Sequence, residues 1–284
     1  MVALFALLGW LGSGDGYPGG PDECVAHDDC YCETVGSGSI AQPANTWTNL
    51  AYVLAGSAIV IDSRRRRSRS RPIALVEREP MYAALFGLTA IGIGIGSFAF
   101  HASMRAWGGF IDLLAMHLYL GAVVAHGLAR IHGWDRGRSL WVWGGFGAAS
   151  AALLVAIPPQ HGRTLFGVLV GVTLLIETAV SYPALRPWAP RRLQPNRVPW
   201  FWAGMGSLAL AFLVWNLSRT GGPWCDPESL LQGHALWHFL TAATIWCLYR
   251  YVRDEGPARD PGIPPGRAGI DRLESDDPTG GDPS

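Results

Sequence analysis

The chain has 284 residues, of which 49% are hydrophobic and only 15% charged, and its formal net charge is zero. Mean hydropathy is positive, which is too apolar for a water-soluble protein of this length, and the charge balance excludes a nucleic-acid binder built on a basic surface. All basic residues are Arg, with no Lys, as a GC-rich genome would give, so the expected setting is a bacterial cytoplasmic membrane.

In chain order, residues 1–12 are apolar but shorter than a span and lack a positive leader, and they read as an interfacial segment or a signal remnant. Residues 1–43 form an outer-side arm, rich from Ser13 onward in Gly, Asp and Cys. The first span covers about 45–61 and runs straight into RRRRSRSR (Arg64 to Arg71), which marks the cytoplasmic side. Further spans are expected near 80–104, 109–131, 139–157, 164–186, 198–217 and 233–251, each close to the ~20 residues a bilayer requires.

The fold expected is therefore all-α and integral to the membrane, a seven-helix bundle over residues 44–254 with the amino terminus outside and the carboxyl terminus cytoplasmic. The arginines agree with this orientation. Arg64 to Arg78, Arg130 to Arg138, Arg186 to Arg197, Arg250 and Arg253 fall in inner connections, against Arg105, Arg163 and Arg219 outside. Trp47, Trp107, Trp141, Trp200 and Trp224 fall near span ends, as an interfacial belt requires. Residues 255–284, rich in Pro, Gly and Asp, read as a disordered cytoplasmic tail.

This topology gives the polar residues a depth. Ser97 and His101 lie near the outer end of the second span, Asp112 near the outer start of the third, and His234 and His238 at the outer start of the seventh. Each i, i+4 pair shares one helix face. Two imidazoles one turn apart with a third from a neighbour, His101, make a three-ligand zinc site with a position open for water. Polar groups inside a membrane are costly, which favours a site over three unrelated buried histidines. Zinc in such a set lowers the pKa of bound water to about 7. Asp112 is then the expected general base and Ser97 an oxyanion donor or water-orienting group. The structural alternatives are a partner fixing a histidine tautomer for Asp112 and a hydroxyl bonded to its own helix for Ser97. His117, His126 and Glu177 read as paired core groups. The glycines at 92, 94 and 96 suit close approach of a neighbouring helix, and Gly108 with Gly109 a short outer turn.

The spacing S-x3-H, an Asp fifteen residues after the Ser, the closing H-x3-H, the NTWTN element at Asn45 to Asn49 and Cys32 with Glu33 together resemble the alkaline ceramidase branch of the CREST superfamily of membrane hydrolases. The resemblance runs over roughly residues 29–251. It implies a zinc amidase that splits ceramide, or a ceramide-like lipid, into a sphingoid base and a fatty acid. Zinc would be held by His101, His234 and His238, with Ser97 and Asp112 catalytic. It also implies a disulfide between Cys32 and Cys225, and a calcium site in the arm. Of the calcium positions only Glu33 matches, with Asp28 and Asp29 nearby, while Val35 and Gln42 depart from the pattern. The competing reading of the arm cysteines is a zinc site on Cys24, Cys30 and Cys32. Cys247 reads as a buried thiol. Two other functions stay open at this stage: an ester-cleaving phospholipid hydrolase, and a lipid-binding receptor-like protein in which zinc only staples helices.

Overall fold

The computed structural model describes residues 17–27, 29–67, 74–158, 161–181, 193–195 and 198–257. The expectations for residues 1–12, for Asp28, for 182–186 and for the tail after 257 lie outside the described residues. In order the elements are α1 (Glu23–Ala26), α2 (Pro43–Thr48), α3 (Leu50–Arg67), α4 (Leu75–Arg78), α5 (Pro80–Ser103), α6 (Ala106–His132), α7 (Arg136–Ala156), α8 (Gly162–Ser181), β1 (Leu193–Pro195), α9 (Val198–Ser218), α10 (Gly233–Arg253) and β2 (Glu255–Pro257).

Among the described residues seven helices, α3 and α5 to α10, have 18 to 27 residues. Four of them, α5, α6, α7 and α9, are long and apolar enough to cross a membrane, and α8 carries a shorter apolar run, Thr164–Ala179. The other two include charge within their length. Helix α3 ends in Asp62 and four arginines, and α10 holds His234, His238, Arg250 and Arg253. Only in the assembled bundle are these groups accounted for. Asp62 accepts from Arg253 Nη1 at 3.0 Å and Tyr249 Oη at 2.9 Å, joining the far ends of α3 and α10.

The expectation of a wholly helical chain omits one small feature. Strands β1 and β2 pair antiparallel with Leu193 opposite Pro257 and Pro195 opposite Glu255, so the first three residues assigned to a disordered tail are backbone-paired instead. Backbone hydrogen bonding between two chain segments is nonlocal and has no periodic signal in strands of three residues.

Leu54, Trp141, Val155 and Leu175 are 70%, 83%, 76% and 73% exposed, whereas Gln42, Asn45, Asn49, His101, His117 and His126 are fully buried beside an apolar core. An apolar exterior with polar groups kept inside is what a hydrocarbon solvent selects, since apolar side chains are costless outside and polar groups must find partners inside. Helices α5 and α6 pack along each other, α3 against α5, α9 along α10, and α10 against α3, while α7 and α8 flank α6.

Small residues set these approaches. A Cβ on Gly94 would come within 2.9 Å of the Asn49 carbonyl, and one on Gly96 within 3.1 Å of the Ile111 carbonyl, whereas Gly92 faces open space and plays no part in packing. In the interior, Glu177 is paired, accepting from Arg130 Nη1 at 3.0 Å. His117 and His126 are not paired as expected: none of their ring nitrogens has a hydrogen-bond partner among the described residues, and His126 lies edge-on to Tyr82 and Phe86.

Removing one member of the Arg130 and Glu177 pair leaves an uncompensated buried charge. Arg130→Met is therefore expected to cost about 3–5 kcal/mol of stability. The double variant Arg130→Met with Glu177→Leu should recover most of that loss, measured as thermal unfolding in detergent.

Candidate metal centre

The site begins with how α5 ends. Met104 takes the left-handed conformation (φ 50°) and its N–H caps Phe100, and Arg105 turns the chain directly into α6. The return is tight because a Cβ on Gly108 would lie 2.9 Å from the Phe100 Cα. A larger residue there would push α6 outward and move Asp112 out of register with α5. Ser97 and Asp112 line the same cavity, and the Asp112 Oδ1 has no hydrogen-bond partner among the described residues.

The carbonyls left open at the end of α5 are taken up by the arm: Ala41 N–H donates to Ala102 at 3.0 Å and Gln42 N–H to His101 at 3.1 Å. Glu33 then caps α2, its two carboxyl oxygens accepting from Ala44 N–H at 2.7 Å and Asn45 N–H at 2.8 Å. Burial pushes the Glu33 carboxyl above the usual range, and these two donors act against that shift. Helix α10 starts at Gly233, where any Cβ would collide with the Ser218 side chain, so α9 and α10 touch at the outer end.

These contacts bring His101, His234 and His238 together, each buried, with ligand-capable nitrogens within 4.8 Å of one another. Hydrogen bonding fixes which nitrogens face inward. The Gln42 amide donates both its protons, to the Cys30 carbonyl at 2.8 Å and the Glu33 carbonyl at 2.7 Å, so its Oε1 is what meets His101 Nδ1 at 2.8 Å. An amide oxygen only accepts, so Nδ1 carries the proton and Nε2 keeps its lone pair.

Thr48 works the same way on α10. Its hydroxyl donates to the Ala44 carbonyl at 2.9 Å, leaving its oxygen to accept from His238 Nδ1, also at 2.9 Å. The His101 and His234 Nε2 atoms are 3.2 Å apart. Two ligands of a tetrahedral zinc at bonds of about 2.0–2.1 Å sit roughly 3.3 Å apart. The residues present therefore fit zinc by donor type, tautomer and spacing.

Ser97, Asp112, His234 and His238 open onto a cavity of about 130 Å³ whose other walls include Tyr31, Tyr52 and Trp237. It adjoins an almost wholly apolar cavity of about 90 Å³, with which it shares Tyr52, Ile93, Met116, Phe166 and Trp237. On the other side it adjoins a wider cavity of about 280 Å³, sharing Tyr31, Asp112 and Leu113, whose rim carries Asp22 and Glu23. The histidines, Ser97 and Asp112 thus stand between an apolar recess and a wider cavity that carries the carboxylates of Asp22 and Glu23.

The family model described as Ceramidase matches residues 27–254. The chain belongs to the ceramidase family. Among curated proteins no match is found. Ceramidase membership implies hydrolysis of a ceramide amide, a lipid substrate and a membrane setting, and the all-helical bundle with its apolar exterior agrees with the last of these.

Other parts of the arm expected from the sequence take definite form in this member of the family. Cys32 is disulfide-bonded to Cys225 and Cys24 to Cys30, while Cys247 is a free thiol. With those sulfurs paired, a zinc site on Cys24, Cys30 and Cys32 is ruled out. Calcium does not fit the residues present either. Ca²⁺ needs six to eight oxygens, but both Glu33 carboxyl oxygens and the Cys30 and Glu33 carbonyls are already taken by N–H donors, and Asp29 is one acidic neighbour beside them.

Sequence reasoning reached the three histidines, Ser97 and Asp112 but missed what orients them. Gln42 figured only as a departure from a calcium pattern, and Thr48 only as part of NTWTN. Their partners are 59 and 190 residues away, and no local pattern announces such a contact. Gln42→Leu removes the acceptor that holds the His101 tautomer. It is expected to weaken zinc binding or turnover about 10–100-fold, measured by chelator competition and by initial rates, whereas Gln42→Glu, which keeps an acceptor at that position, should lose less.

Proposed function

We propose that the chain is a zinc-dependent lipid amidase that cleaves the N-acyl bond of ceramide or a ceramide-like lipid, giving a sphingoid base and a fatty acid. The observation that carries this reading is the convergence of three buried imidazoles, two of them with Nδ1 held by Gln42 and Thr48, beside an Asp112 oxygen that has no partner among the described residues, on a cavity that adjoins an apolar recess. His101, His234 and His238 would hold the ion. When bound, zinc supplies Lewis acidity, polarising a carbonyl and making water acidic enough to attack at accessible pH.

The chain's own residues do the rest. The apolar recess takes an acyl chain out of water and sets the amide carbon beside Asp112. Asp112 accepts a proton from the attacking water as its oxygen bonds to that carbon. The same carboxyl returns the proton to the nitrogen as the C–N bond breaks, so that a neutral amine leaves. Ser97, which lines the same cavity, supplies a hydroxyl donor for the oxygen on which charge develops. The wider cavity lined by Asp22 and Glu23 lets water in and the amine out.

In this reading all seven long helices span the bilayer, with the amino terminus and the site toward the outer face. Both disulfides lie at the site's end of the bundle, which suits an oxidising compartment, and Arg64 to Arg67 close α3 at its opposite end. Calcium plays no part, so titrating Ca²⁺ into zinc-loaded protein from zero to millimolar should change the rate less than about twofold, because no vacant oxygen cage awaits it.

The substrate is tested by offering a total lipid extract and following released fatty acid and amine by mass spectrometry. Amine and fatty acid appearing together, from N-acyl lipids, is the expected result. Fatty acid released with a lysophospholipid in place of an amine would make the chain an ester hydrolase, and binding without release would make it a receptor-like protein.

A further inference from the structure

The three imidazoles are not held alike. His101 is fixed by Gln42 and His238 by Thr48, each through Nδ1, but His234 Nδ1 has no hydrogen-bond partner among the described residues. What meets the His234 ring instead is Tyr31, stacked on it with ring centroids 4.1 Å apart and 29° between planes. The same phenol ring lies edge-on to His101 at 5.3 Å and to Phe100 at 6.1 Å.

Tyr31 itself is held in an unusual way. Its φ is 54° and that of Cys32 is 68°, and two consecutive non-glycine residues in the left-handed region are costly, persisting only where the surroundings force them. Here the surroundings are covalent. Cys30 on one side is tied to Cys24, and Cys32 on the other to Cys225, while Gln42 anchors the carbonyls of Cys30 and Glu33.

We propose that Tyr31 is a positioning residue for the metal centre, doing for His234 by ring stacking what Gln42 and Thr48 do for the other two histidines by hydrogen bonds, and that the two disulfides exist to hold its ring there. The proposal rests on the zinc assignment but not on the identity of the lipid. Tyr31 also lines both the cavity at Asp112 and the wider one that carries Asp22 and Glu23, so its ring forms part of the wall between the two.

The test is zinc affinity of the full chain in detergent, by competition with a chromogenic chelator, with helix content by circular dichroism as the check on folding. Tyr31→Ala and the double variant Cys24→Ser with Cys30→Ser should bind zinc about 10–100-fold more weakly than wild type, the usual effect of losing a group that orients a metal ligand. Tyr31→Phe, which keeps the ring, should stay within about threefold of wild type. Tyr31→Leu, which fills the space without a π-face, should fall with Tyr31→Ala.

Wild-type affinity in Tyr31→Ala would overturn the proposal, and so would a Tyr31→Phe defect as large as that of Tyr31→Ala, because the hydroxyl and not the ring would then be at work. Absence of fatty-acid release by the wild-type chain overturns the amidase reading alone. A tenfold loss of zinc in Tyr31→Ala would support the role of the ring even then.

Discussion

His234→Ala is expected to abolish both bound zinc and hydrolysis. Three ligands are the least that hold a catalytic zinc, and removing one leaves two neutral imidazoles, with no carboxylate oxygen in the converging group to replace it among the described residues. Lewis-acid stabilisation of the transition state is worth several kcal/mol, and each 1.36 kcal/mol is tenfold in rate, so the loss should be on the order of 10³-fold or more. The fold should survive, since the neighbouring packing of α10 on α9 runs through Trp237 and Thr244, not through this ring. Metal analysis of purified protein and initial rates from the same preparation would check both halves, and substantial activity in a zinc-free His234→Ala protein would refute the ligand assignment.

Asp112→Asn is expected to separate the two halves. Asp112 is not among the converging nitrogens, so zinc should stay at one per chain. Turnover should fall about 10²–10⁴-fold, the range for loss of a general acid–base group, with a smaller effect on substrate affinity. Asn keeps the size of the side chain but cannot take up a proton at accessible pH. A variant that loses zinc together with turnover would make Asp112 a structural support for the histidines, and the zinc in that case a staple between α5 and α10.

The parts of this site that were legible in the sequence are those governed by helix periodicity. Ser97 with His101 and His234 with His238 are each one turn apart, and that spacing alone puts each pair on one face. Asp112 followed from the short turn at Gly108 and Gly109, whose tightness the Phe100 contact explains. Helices α3 and α10, expected as spans over 45–61 and 233–251, are not among the helices long and apolar enough to cross a membrane, because Asp62, the arginines and the two histidines lower their apolarity. Asp62 with Arg253 and the histidines find their partners across the bundle.

What stayed hidden is what depends on contacts remote in sequence. Gln42, Thr48 and Tyr31 orient the histidines from an arm that has no periodic pattern, and the glycine at 92 shares its spacing with those at 94 and 96 yet faces no neighbour. His117 and His126 were expected to be paired like Glu177, but they lie against aromatic rings and hydrocarbon, a difference that composition cannot reveal.

The most direct test of zinc-dependent amide hydrolysis uses one preparation of the purified full chain for two readings, zinc content by mass spectrometry and release of fatty acid from a defined ceramide. One zinc per chain is predicted, with activity lost in proportion as a chelator strips the metal and restored by adding zinc back. Undiminished release of fatty acid from protein shown to be free of zinc would contradict the account.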